Sequence, residues 1–192
     1  PTASAGTWPK TDAPFRVLAG SELQVRSDIT VAPGARLEFE GGALLDVEFG
    51  GSLDASGTVD DVIVFTGTAA VAGHWEQLSF RTASANNVLD FVEVAYGGGE
   101  PSLPGSVYVH PTATVTIANS TVRDSETYGL YVGNDGELSA FSANTFSANA
   151  APISVRPERM SELDAASTYA DGNTENYIDV RSGPTASAGT WP

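Results

Sequence analysis

Four tyrosines, Tyr96, Tyr108, Tyr128 and Tyr131, are the residues of this chain whose type and spacing could most readily serve a ligand. Aromatic rings beside a Gly/Pro-rich stretch (97–105) can stack on sugar rings, and such stretches leave a scaffold to form binding loops. The competing reading is a ladder of rings on one face of a sheet. Acid pairs offer less. A glycosidase holds two carboxylates roughly 5–10 Å apart across a groove, but Asp60-Asp61 falls in a turn, where neighbouring acids are solvated. Arg123-Asp124 at a strand end offers a lyase-type base beside an acid, and reads more simply as a surface ion pair. His74 and His110 lie 36 residues apart in a chain without cysteine, which is no zinc-ligand spacing. Asp171, Asn173 and Glu175 alternate as oxygen donors in ADGNTEN, a faint likeness to a calcium loop that lacks the full ligand pattern. Calcium is thus the single cofactor that the sequence offers. No G-x-S-x-G elbow occurs. Thr114-Val115-Thr116 is too short a run for an ice-binding ladder. These residues together do not describe an enzyme.

Charge narrows the partners. Twenty-four acids face nine bases, a net charge of −15, and no basic stripe interrupts it, so phosphate backbones are repelled. The same charge keeps a long protein soluble and holds copies apart. No stretch approaches the ~20 apolar residues of a membrane helix. The absence of cysteine leaves redox compartment unread. The chain begins with Pro and carries no leader, so it is expected to be a fragment whose export signal lies elsewhere.

The elements that would position any site are strands. Helical periodicity is nearly absent; short runs rich in Val, Ile, Leu, Phe and Tyr alternate with Gly, Pro, Asn, Asp and Ser. The runs repeat in register. Val107, Leu130, Ile153 and Ile178 are 23, 23 and 25 residues apart; Leu89, Ile117 and Phe141 are 28 and 24 apart, as are Val94, Val122 and Phe146. Two interleaved ladders of common period imply one coil of backbone per period, each strand hydrogen-bonded to the coils above and below. The fold expected is an all-β parallel β-helix of about eight coils, a rod of roughly 40 Å at ~4.8 Å per coil. Pro33-Gly34 is expected to turn a corner, Trp75 to pack on the flank of a coil, and PERMSELDAAS (157–167) to form a helical turn or irregular loop beside the last strands.

One recurrence is longer than chance permits. PTASAGTWP occupies residues 1–9 and again 184–192. The chain therefore reads as one period of a tandem array and the start of the next: an inter-module linker or N-terminal cap (1–14), a β-helix module (15–183), and the opening of a further copy (184–192). Neighbouring copies are the expected partners. Trp8 and Trp191 sit in otherwise small-residue segments, and are expected to dock on and cap the coil ends, whose unpaired strand edges would otherwise invite aggregation.

VAPGARLEFEGGALLDV (31–47) followed by GSLDASGTVDDVIVFTG (51–67) resembles bacterial right-handed parallel β-helix surface proteins, with HWEQLSF, NNVLDFVEVAYGGG and STVRDSETYGLYV as later coils of the same kind. The likeness covers about Trp8 to Val180, and its motifs are structural. It implies a right-handed winding, export, and service as a module of a large cell-surface protein. The expectation is a structural stalk or adhesin-like module, with a carbohydrate-binding or polysaccharide-cleaving module as the alternative.

Overall fold

No single run in this chain is long enough to bury a face alone, so the runs must stack on one another. The computed structural model, which describes residues 5–100, 102 and 104–185, shows how. The backbone winds as a parallel β-solenoid of seven coils, and each coil supplies strands to three sheets. The first sheet holds β1 (Gly6–Trp8), β4 (Asp28–Val31), β7 (Ser52–Ser56), β10 (Val88–Asp90), β13 (Thr114–Ala118) and β16 (Glu137–Ser142). The second holds β2 (Phe15–Val17), β5 (Arg36–Phe39), β8 (Ile63–Gly67), β11 (Val92–Ala95), β14 (Thr121–Arg123), β17 (Thr145–Ser147) and β19 (Thr168–Asp171). The third holds β3 (Glu22–Val25), β6 (Leu44–Val47), β9 (Leu78–Phe80), β12 (Val107–Val109), β15 (Tyr128–Val132), β18 (Ala151–Val155) and β20 (Asp179–Val180). In the seventh coil a 3-10 helix, η1 (Pro157–Glu162), takes the place of a first-sheet strand and packs on β16. It is the helical turn expected in 157–167.

Seven coils stand where about eight were expected. The count of eight applied the 23-residue spacing of the later coils to the whole chain. Strand-to-strand steps in fact run from 22 residues (Leu23 to Leu45) to 33 (Leu45 to Leu78), because connections such as 68–77 lengthen a coil without adding one. Gly6–Trp8, inside the segment read as linker or cap, pairs with β4 as the first strand of the solenoid.

The expected ladders are register partners. Val107, Leu130 and Ile153 stack in the third sheet; Leu89, Ile117 and Phe141 in the first; Val94, Val122 and Phe146 in the second. All are buried, since alternate positions of each strand face the interior. Trp75 does not lie on a flank. It is fully buried, stacked on Phe39 at 4.2 Å between centroids, and its Nε1 donates to the Ala95 carbonyl at 2.8 Å.

The corners explain why strands so short can stay in register. At the corners into the second and third sheets, one residue takes a positive φ: Phe91, Asn119 and Ala143 at the first, Tyr96, Asp124, Ala148 and Gly172 at the second. In coils 5 to 7 the next residue is a buried Ser or Asn at Ser120, Asn144, Ser125, Asn149 and Asn173. Asn149 Oδ1 accepts from the Ser125 amide one coil below (3.0 Å), and its Nδ2 donates to the Val122 carbonyl (3.0 Å) and to Asn173 Oδ1 (3.1 Å). Asn144 repeats the device with the Ser120 amide and the Ile117 carbonyl. These side chains satisfy backbone groups that a sharp corner would leave orphaned.

Candidate functional site

Inward positions of the third sheet are apolar, so the alternate positions form its outer face. There Asp46, Ser79, Tyr108, Tyr131, Ser154 and Asp179 are successive register partners, one per coil. The column is polar at both ends and aromatic in the middle. Tyr108 and Tyr131 stack at 5.5 Å, and Tyr128 lies 5.8 Å from Tyr131. The Arg181 guanidinium covers the Tyr131 ring at 4.1 Å and donates to Tyr131 Oη and the Val132 carbonyl. Tyr128 Oη donates to Asp179 Oδ2 at 2.7 Å; burial and that carboxylate raise the phenol to about 12. Three of the four tyrosines singled out in the sequence thus share one face as a ladder. Tyr96 does not join them: it ends β11 at a corner, packs on the core, and lies under Arg123.

Beside this face, next to the 97–105 stretch, a shallow cavity of about 300 Å³ is lined by Pro104, Glu126, Thr127, Tyr128, Ala150, Ala151, Glu175 and Tyr177. Tyr177 is 56% exposed. Two phenol rings and two carboxylates around an open hollow can hold a polyhydroxylated ring by stacking and hydrogen bonds. Tyr177 was missed in the sequence; it sits just past the Asp/Asn-rich stretch, and nothing local says that the fold brings it beside Tyr128.

Towards the other end of the column, Asp46 is buried; it accepts from Ser79 Oγ (2.8 Å) and Arg81 Nε (2.5 Å). Its carboxylate lies within 4.8 Å of those of Glu22 and Glu48, the one acidic trio close enough to hold a cation among the described residues. Arg81 and Ser79 already occupy both Asp46 oxygens. His110 follows in the next coil, edge-on to Tyr108 at 4.2 Å with Nδ1 3.5 Å from Arg81. Burial and the neighbouring guanidinium push the imidazole down to about 4. In the unfolded chain it titrates near 6.5, so the unfolded state binds the extra proton first as pH falls. Stability is therefore full above pH 6.5 and is lost as the pH drops towards 4. Allowing for the partial exposure of the ring, His110 is expected to account for about 1–2 kcal/mol of that loss. Urea unfolding of the wild type and of His110→Gln at pH 7 and pH 4.5 measures it; a gap that stays constant between the two pH values contradicts the assignment.

The remaining sequence candidates are dispersed. Asn173 is buried in the corner ladder, its Oδ1 accepting from the Asn149 amide and its Nδ2 donating to the Phe146 and Tyr169 carbonyls. Its oxygen is spent on backbone geometry, while Asp171 and Glu175 stay exposed on either side. Arg123 bonds Glu93, Asp124 and Tyr96, an ion-pair network on the second sheet. Asp61 pairs with Lys10, and His74 Nε2 bonds Thr68.

The ends of the solenoid form the other conspicuous surface. At the first coil, Trp8, Phe15, Arg16, Val17, Leu23 and Leu37 line a cavity of about 280 Å³. The Trp8 ring packs on the core from this open end. Trp191 lies outside the described residues. No helix among the described residues is long and apolar enough to cross a membrane. Compared with protein-family models, curated protein sequences and solved structures, the chain matches none.

Proposed function

We propose that this chain is one module of a tandem array, and that its work is mechanical: it lengthens and stiffens an exported stalk or adhesin-like filament on a bacterial surface. The observation that carries the reading is the return of residues 1–9 as 184–192. The parallel solenoid supports it, because each coil rests mainly on its neighbours and the architecture extends along one axis. The winding is taken as right-handed, the hand that parallel crossovers overwhelmingly adopt. On this reading the module binds no nucleic acid, needs no cofactor and performs no catalysis. The test is the coding sequence on either side of the segment. Further copies spaced by the 183 residues that separate Pro1 from Pro184 are expected; unrelated sequence on both flanks would refute the array.

A second reading, saccharide binding, is favoured by the hollow between Tyr128 and Tyr177 with Glu126 and Glu175 at its rim. If it holds, Tyr177→Ala loses roughly tenfold in affinity for any glycan that the wild type captures on an array, since one aromatic stacking platform contributes about 0.5–1.5 kcal/mol. Tyr177 is exposed, so the melting temperature should be unchanged. An array on which the wild-type chain captures nothing removes this reading.

A further inference from the structure

Both ends of the solenoid present unfinished interior columns. In the second sheet one inward column runs Phe15, Leu37, Phe65, Val94, Val122, Phe146 and is continued by Tyr169, which lies parallel to Phe146 within 4° at 6.2 Å. In the third sheet a column runs from Val25 through Val155 to Val180, and its neighbour from Leu23 through Ile153 towards Ile178. At the first coil Phe15 is 37% exposed; at the last, Val180 is 41% exposed. The outer edges of β2 and β3 at one end, and of β19 and β20 at the other, have no strand beside them among the described residues. Such edges are templates for pairing.

We infer that each module stacks directly on the next copy, so that β2 and β3 of the following module hydrogen-bond to β19 and β20 of the preceding one and the interior columns continue across the joint. The inference rests on the tandem reading and adds its geometry. The register is specified: Phe15 of the following copy over Tyr169, its Leu23 over Ile178, and its Val25 over Val180. Chain length allows this. With copies 183 residues apart, these pairs are separated by 29, 28 and 28 residues. Steps between stacked residues inside the module span 22 to 33. Charge favours it too. Residues 5–36 carry four bases against three acids, while 157–183 carry six acids against two bases, so opposite ends meet. The contact is heterologous, head to tail, and generates an open filament. The first sheet cannot take part in the same way, because η1 covers β16 and offers no strand edge. The copy of Gly6–Trp8 that opens the next coil therefore meets a helix, and the joint is laddered on two sheets out of three.

The experiment is amide hydrogen exchange on a two-copy chain (residues 1–183 followed by 1–192) against the 192-residue chain. Amides of Thr168–Asp171 and Asp179–Val180 in the first copy are expected to exchange at least tenfold more slowly than in the single chain. Phe15→Glu in the second copy, or Val180→Asp in the first, should return them to single-chain rates. Equal rates in the two chains, whether fast from a free end or slow from an end covered by its own residues, overturn the stacking. Protection that survives both substitutions overturns the register. Flanking copies in the coding sequence, found together with equal exchange rates, would leave the array standing and remove only the rigid joint.

Discussion

Asn149→Ala is expected to lower the stability of the chain by about 3–5 kcal/mol, more than most core truncations of that size. Asn149 is buried and small, so little apolar area is at stake. What is lost is polar: the Ser125 amide loses its acceptor, and the Val122 carbonyl loses its donor, both at buried positions. Asn173 Oδ1 loses one of its two partners. Each orphaned group costs about 1–3 kcal/mol. Asn149→Asp separates polarity from volume. It keeps the acceptor for Ser125 but turns the donor into an oxygen facing two others, so its loss should be as large. The exposed Asn86→Ala should stay within about 0.5 kcal/mol of wild type. Urea titration followed by circular dichroism ranks the three variants; an Asn149→Ala midpoint close to that of Asn86→Ala would mean that the corner asparagines are not structural.

Trp75→Ala carries the other large effect. The indole is fully buried, stacked on Phe39 within 13° of parallel, and hydrogen-bonded to the Ala95 carbonyl. Truncating a buried Phe or Trp to Ala typically costs about 3–5 kcal/mol, and the orphaned carbonyl places this one at the upper end. Trp75→Phe keeps the stack and loses the hydrogen bond, so it should cost about half as much. Gly97 tests the same packing from the opposite side: a Cβ there would stand 3.2 Å from Trp75 Cε2 and 2.9 Å from Ser106 Oγ. If Trp75→Ala and Trp75→Phe unfold at the same urea concentration, the ring's own packing contributes nothing.

The later coils were legible because Val107, Leu130 and Ile153 repeat at constant spacing, and constant spacing is register. The early coils were not, since the step from Leu45 to Leu78 is a third longer than the next ladder's and hides the match between the two residues. Trp75 was misplaced for a related reason. Its neighbours His74 and Glu76 read as surface, and its enclosure by Phe39 and Gly97 comes from residues more than twenty positions away. The calcium likeness at Asp171, Asn173 and Glu175 came from local alternation alone. Vertical stacking decides otherwise, because Asn173 stands above Asn149. The corner device was half visible: FSAN occurs twice, at 141–144 and 146–149, each time ending on the ladder asparagine. What no local pattern could supply was that Tyr128 and Tyr177, 49 positions apart, share a hollow.

Unequal coil lengths have a practical consequence. Between Leu23 and Val47 the chain spends 22 residues per step, and between Leu45 and Phe80 it spends 33, yet the same columns stay aligned through both. Excursions leave at a corner and return to it, so surplus residues are tolerated wherever the ladder resumes on the next strand. The stretch 68–77, apart from Trp75, is thus a natural place to graft a foreign epitope, and an array of such units would display it at fixed intervals along a straight support.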